Sequence, residues 1–272
     1  MRIDGQPLDS VAALDRGFQY GDGLFETMAA MDGRVPLWES HFSRLEKGCE
    51  TLGFACPPQR VLEEEVHAVA AESPRCIVKL IVTRGQGGQG YRPPLRPKPL
   101  RAAWTRSWHP YPQAFWREGI RLHHCRTSLA VDSPVAGLKH LNRLEQVLAR
   151  QEWDDDEIPE GLMLDPEGHV VGGTMTNVFL VEGGTLVTPP VERCGVAGVM
   201  RGLVMELAAA DACSVARESV TLQRLSKADG VFVTNAVIGI WPVKEFAQRT
   251  YPVPRRVRWL QDEIARVTGS TP

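Results

Sequence analysis

The chain has 272 residues, enough for one large domain or two of ordinary size. Apolar residues make up 43% of it and charged residues 24%, the balance of a chain that folds around a buried core. The net charge of -2 and the lack of a basic run argue against nucleic acid or an acidic membrane as a partner. No stretch reaches the length of a membrane span, and Met1-Arg2-Ile3-Asp4-Gly5 shows no secretory pattern. Six cysteines are scattered without a C-x-x-C pair, which suits small core residues in a reducing compartment, so the cytoplasm is the expected location.

Along the chain, Asp4-Gly5, Asp15-Arg16-Gly17, Gly21-Asp22-Gly23 and Asp32-Gly33 punctuate short extended pieces, and Leu24 to Met31 reads as a strand. A helix begins near Glu39, with Phe42, Leu45, Cys49 and Leu52 at helical spacing and Gly53 as its stop. A second helix over Gln59–Glu72 follows Pro57-Pro58, then a buried strand, Ile77–Val82, a glycine-rich loop and a strand over 100–108. His109-Pro110-Tyr111-Pro112 is the expected boundary, giving a small α/β domain over 1–108, a connector over 109–118 and a larger domain over 119–272.

The second half opens with a strand, Gly119–Cys125. A helix is expected over 140–152, because Leu141, Leu144 and Leu148 recur on one face and should be buried. Asp154-Asp155-Asp156-Glu157 reads as a solvated loop. Hairpins follow around Pro166-Glu167-Gly168 and Gly183-Gly184, then a helix over Gly198–Asp211, strands over Gly230–Thr234 and Ile238–Val243, and a last helix over Arg255–Val267. Mixed elements, frequent hairpins and no regular β-α-β rhythm indicate an α+β chain of two domains.

Lysine is rare: Lys47, Lys79, Lys98, Lys139, Lys227 and Lys244 are the whole set. Lys139 stands between a glycine turn and the expected amphipathic helix, so it sits at the edge of a core. Desolvation there favours a neutral amine, the form Schiff-base chemistry needs; a lysine that snorkels at a helix start is the bland reading. Gly85, Gly87 and Gly90 fit G-x-G-x-x-G, but Pro93-Pro94 blocks the helix that a dinucleotide fingerprint must open. Gly195-Val196-Ala197-Gly198 leads into a helix, either an ordinary entry or a seat for phosphate at free backbone amides. Arg44 is either a surface charge or a guanidinium fork for phosphate. Nothing resembles a metal motif.

Taken together these blocks resemble the fold-type IV pyridoxal-phosphate enzymes, which include branched-chain aminotransferases, D-amino acid aminotransferases and aminodeoxychorismate lyases. Asn177-Val178-Phe179, Leu186-Val187-Thr188 and the Val196–Arg201 helix start carry the shared signature at matching spacing. Tyr20–Thr27, Arg84–Tyr91 and Lys139–Gln146 are most similar to the lyase branch. The Arg-x-His of D-amino acid aminotransferases is missing at Gln89-Gly90-Tyr91.

The resemblance implies a two-domain architecture like that of D-amino acid aminotransferase, a cytoplasmic homodimer acting on a small molecule, and pyridoxal 5'-phosphate as cofactor. It implies Lys139 as the Schiff-base lysine, with Thr27 as a second catalytic group. Arg44 and the amides of Val199 and Met200 would hold the cofactor phosphate, joined by Asn177, Asn235 and Ala236. Arg84 and Tyr91 would bind substrate. The reaction implied is elimination of pyruvate from aminodeoxychorismate. A transaminase of branched-chain or D-amino acid type, and a non-catalytic cofactor binder, are the alternatives. One position departs from the signature: Gly172 stands where the family carries a glutamate for the pyridine nitrogen, with Thr174 and Thr176 as candidates to replace it.

Overall fold

A computed structural model describes residues 1–108 and 111–269. The chain divides into two compact units, Met1–His109 with Leu138–Asn142, and Pro110–Gly137 with Arg143–Pro272. Residues 109 and 110 of the expected boundary lie outside the described residues. The five residues around Lys139 belong to the first unit, whereas the sequence reading put them in the second.

The first unit contains β1 (Arg2–Ile3), α1 (Arg16–Tyr20), β2 (Gly23–Met31), α2 (Trp38–Leu52), α3 (Gln59–Ala70), β3 (Arg75–Thr83) and β4 (Leu100–Ser107). Its strands form an antiparallel sheet in the order β1-β4-β3-β2. Side chains alternate across a strand, and here the two faces differ sharply. Leu24, Met28 and Ala30 of β2 and Cys76, Val78, Leu80 and Val82 of β3 are buried, while Phe25, Thr27, Ile77, Lys79 and Ile81 on the other face are only half-buried. The buried strand expected over 77–82 is buried on one face and half-buried on the other. Gly48 lets α2 lie close on β2, since a Cβ there would come within 2.7 Å of Leu24 Cδ1.

The buried face of β2 also carries Glu26, 1% exposed, beneath α2. Its Oε1 accepts from Arg44 Nε at 2.8 Å, and Oε2 meets both Arg44 Nη2 and His41 Nδ1, the latter at 2.6 Å. Burial raises this carboxyl, but the neighbouring Arg44 and His41 outweigh it and hold Glu26 down to about 2.

The edge of β2 is extended by residues 138–142. Phe25 N–H donates to Lys139 C=O at 2.9 Å and Leu141 N–H to Gly23 C=O at 3.0 Å. Asn142 Nδ2 adds a bond to Gly21 C=O. This short piece is extended, which is why no helix begins at residue 140.

The second unit contains α4 (Ala114–Arg117), β5 (Ile120–His124), α5 (Leu144–Arg150), β6 (Glu160–Leu164), β7 (His169–Gly173), β8 (Asn177–Glu182), β9 (Thr185–Thr188), α6 (Val199–Ala210), β10 (Val215–Arg217), β11 (Val220–Thr221), α7 (Leu222–Lys227), β12 (Gly230–Asn235), β13 (Gly239–Phe246), β14 (Arg249–Thr250) and α8 (Arg255–Thr268). Its sheet is mixed, in the order β10-β9-β8-β12-β13-β5-β6-β7-β11, with β14 on β13. Trp241, fully buried, makes edge contacts with Tyr111, Phe115 and Trp116. Trp116 donates its indole N–H to Ile238 C=O.

The helix expected over 140–152 is only α5, and its leucines are not covered: Leu144 is 75% and Leu148 54% exposed. Helical spacing marked an apolar face correctly but not its burial.

Two outcomes test these packings. Glu26 has a lowered pKa in the fold, so its contribution is complete above the ordinary value of 4.5 and fades as pH falls toward about 2. The amount is on the order of 3 kcal/mol. Glu26→Gln should lower the neutral-pH melting temperature and flatten the acid limb of the stability curve in chemical denaturation. Trp241→Ala should cost about 3–5 kcal/mol by emptying an aromatic core, read from the urea midpoint.

Candidate active site

The half-buried face of the first unit gathers amines around one ring. Lys139 Nζ lies 4.3 Å and Lys79 Nζ 3.5 Å from the Phe25 ring centroid. Lys79 Nζ donates to Thr27 Oγ1 at 3.2 Å, the two residues being direct partners across β2 and β3. Burial, helped by the positive charge of Arg106 and opposed by Glu26, brings Lys79 down to about 8. The edge pairing of residues 138–142 sets where Lys139 stands, so its place is a backbone property rather than a rotamer choice.

Arg44, expected to hold phosphate, has its fork on Glu26 beneath α2. Arg84, expected to bind substrate, is committed to the fold: Nε donates to Asp22 at 2.7 Å and the two terminal nitrogens donate to Gly53 and Leu52 carbonyls. Asp22 also takes Arg16 Nε at 2.8 Å, and the rest of the Arg16 fork donates to carbonyls of Gly87, Gly90 and Tyr91. These two arginines hold the Asp22 carboxyl below its ordinary value against the effect of burial. The glycine loop is thus held by arginine. Tyr91, the other expected substrate residue, is 87% exposed and packs on Tyr20 with ring centroids 5.5 Å apart.

In the second unit the start of α6 is built to approach something closely. Gly198 is its N-cap and supplies no side-chain cap to the first-turn amides, which include Val199 and Met200. A Cβ on Gly198 would fall 2.0 Å from Asn177 Oδ1, and Asn177 Nδ2 donates to Val196 C=O at 2.9 Å. Asn177 therefore fixes the loop entering the helix, whose dipole and bare amides favour an anion. Asn235 plays a similar part at the turn holding Ala236: its Oδ1 accepts from Val237 and Ile238 N–H, and its Nδ2 donates to Met175 C=O.

Beside Gly173, the residue after Gly172, stands Glu160, which the sequence reading missed. Glu160 is fully buried. Its Oε1 accepts from Gly161 N–H, Thr174 N–H and Thr174 Oγ1, and its Oε2 accepts from Met175 N–H and Thr176 Oγ1. Burial pushes this carboxyl up, against those five bonds. Thr174 and Thr176 each spend their single hydroxyl proton on Glu160, so neither is a spare donor. Glu160 could have been suspected from its place at the head of an otherwise apolar strand.

The groups fit pyridoxal phosphate in two respects and depart in one. An amine stands beside an aromatic ring on one unit, and an uncapped, glycine-opened helix start offers an anion seat on the other. No carboxylate stands at position 172.

Comparison with known proteins agrees with this chemistry. The amino-transferase class IV family model matches residues 23–246. An aminodeoxychorismate lyase from Vibrio harveyi is 33% identical over 96% of this chain and 98% of its own. A branched-chain-amino-acid aminotransferase from Pseudomonas aeruginosa is 26% identical, covering 89% of this chain and 82% of its own length. Among solved structures, 4-amino-4-deoxychorismate lyase from Pseudomonas aeruginosa superposes with a TM-score of 0.94 and 45% identity, over 97% of this chain and 98% of the other. The α+β units, the Lys139 amine and the glycine-opened helix start thus have a common explanation: this chain belongs to the amino-transferase class IV family of fold-type IV pyridoxal-phosphate enzymes.

Proposed function

We propose that the chain converts 4-amino-4-deoxychorismate to 4-aminobenzoate and pyruvate, a carbon–oxygen lyase step serving folate biosynthesis. The likeness to two lyases over nearly the full chain supports this reading. The observation that carries it is the hydroxyl of Thr27, which accepts from Lys79, an amine that shares the Phe25 ring with Lys139. A lyase of this kind needs a base for a ring proton and a separate acid for the departing enol.

Bound pyridoxal 5'-phosphate supplies an electrophilic carbonyl and an electron-withdrawing ring. Lys139 offers the amine that binds it and, once released, the base that removes the ring proton. Thr27 protonates the methylene carbon of the departing enol, giving pyruvate. The first-turn amides of Val199 and Met200 hold phosphate, with Arg44 as the cationic partner and Asn177, Asn235 and Ala236 shaping the wall. Formation of an aromatic product supplies the driving force, so the reaction tolerates glycine at 172, where a transaminase loses more.

Incubation with 4-amino-4-deoxychorismate should release fluorescent 4-aminobenzoate, and Lys139→Ala should abolish it. Release of a 2-oxo acid from added L- or D-amino acids at a comparable rate, without 4-aminobenzoate, overturns the lyase reading in favour of a transaminase. A large acceleration of single-turnover elimination by Gly172→Glu would defeat the tolerance argument.

The chain is also proposed to be a cytoplasmic homodimer. Phe18 (77% exposed), Tyr91, Leu95 and Leu144 are exposed apolar side chains that a second copy would cover. All six cysteines are free thiols, and no described helix is long and apolar enough to cross a membrane. Sedimentation should give about twice the 30.1 kDa chain mass; a single-chain mass at micromolar concentration excludes the dimer.

A further inference from the structure

Asp22 holds two buried arginines, and it holds each of them twice. Its carboxylate Oδ2 accepts from Arg16 Nε at 2.8 Å and from Arg84 Nε at 2.7 Å. Its backbone N–H donates to Arg16 C=O at 3.2 Å, and its C=O accepts from Arg84 N–H at 3.1 Å. Arg16 is 5% and Arg84 6% exposed. Among the described residues, Asp22 is the only carboxylate within salt-bridge distance of either. A buried cation deprived of its anion is costly, so one carboxylate shared by two guanidinium groups has little freedom to move.

The glycines on either side of Asp22 bond elsewhere. Gly21 C=O accepts from Asn142 Nδ2 at 3.2 Å, and Gly23 C=O accepts from Leu141 N–H at 3.0 Å. Gly21 has a φ of 64°, and a Cβ there would come 2.5 Å from Asn142 Oδ1. Its turn needs glycine both for the backbone and for the approach of Asn142. Residues 141 and 142 lie just beyond Lys139, whose own C=O takes the Phe25 N–H. The Gly21-Asp22-Gly23 turn therefore serves two neighbours. Its carboxylate holds the arginines, and its two outer carbonyls hold the strand that carries Lys139. Beyond Arg16 the chain of bonds reaches the glycine loop, through the carbonyls of Gly87, Gly90 and Tyr91.

We propose that Asp22 is a positioning residue for Lys139, and that it joins the glycine loop to the strand from which that amine projects. The inference rests on the reading of Lys139 as the cofactor amine. Asp22 acts through the main chain. A neutral side chain at 22 leaves two buried guanidinium groups without an anion, so they draw apart and the turn moves with them. Gly23 C=O then loses its register with Leu141 N–H, and the 138–142 strand loosens at the β2 edge. The loss is one of preorganisation: an amine whose main chain wanders must be ordered again each time it reacts.

The test compares Asp22→Asn, Asn142→Ala and the double variant as full chains, first without cofactor. Hydrogen–deuterium exchange is read by mass spectrometry at the amides of Phe25 and Leu141, with the β3–β4 ladder as internal control. Each single variant should speed exchange at Leu141 about tenfold, the size of coupling found within one bonded network, and the double variant should add little to Asp22→Asn. With pyridoxal phosphate added, borohydride trapping at Lys139 should slow in both single variants. Faster exchange confined to the glycine loop, with Leu141 unchanged, overturns the proposal. So do strictly additive effects in the double variant, and so does an equal rise along the β3–β4 ladder, which is general loosening. If Asp22→Asn does not fold, Arg16→Lys replaces it, keeping the charge but giving up the fork to the loop. Faster Leu141 exchange in that variant supports the link, and unchanged exchange overturns it. Trapping of the cofactor at another lysine overturns the reading of Lys139 and the proposal with it. A wild type trapped at Lys139 that releases no 4-aminobenzoate fails the lyase reading alone, and the exchange result then decides the inference by itself.

Discussion

The bond from Phe25 N–H to Lys139 C=O is the constraint on which the placement of Lys139 depends. It converts residues 138–142 from a linker into an added strand at the β2 edge. Two backbone bonds, at Phe25 and Leu141, fix the direction of the piece, and Lys139 is left with its amine above the Phe25 ring. A lysine placed by its main chain loses little conformational freedom when it reacts, because most of that freedom is already gone.

The strict alternation of a β-strand then divides labour between adjacent residues. Glu26 points under α2, where it binds Arg44 and His41 in a buried charge cluster. Thr27, one residue on, points to the open face and meets Lys79. One peptide thus separates a buried structural carboxylate from the Thr27 hydroxyl. This separation keeps Glu26 from pairing directly with Lys79, which would hold that amine fully charged.

Much of the fold is readable from local pattern. Gly53 stops α2 as its spacing suggests, with φ of 75°, and the hairpin glycines fall at the turns expected of them. Lys139 stands out in the sequence because lysines are few and it follows a glycine turn. What resists reading is set by distant pairing. The register that puts Lys79 beside Thr27 comes from a long-range strand match. The same is true of Arg84, whose residue type suggests a substrate group but whose donors are taken by Asp22, Leu52 and Gly53. The leucines of α5 show a further limit: periodicity finds an apolar stripe, but a single chain need not be what covers it.

The Glu160 clamp has a consequence for what position 172 can accept. A Cβ there would come 2.8 Å from Thr176 C=O, and one on Gly173 would come 2.6 Å from Glu160 Oε2. The backbone of this turn has closed over the room that a side chain would occupy. Restoring an acidic residue at 172 therefore requires the 172–177 turn to move, and Glu160, Thr174 and Thr176 hold that turn through several bonds at once. Any side chain at 172, neutral or acidic, therefore meets the same backbone before its chemistry can matter.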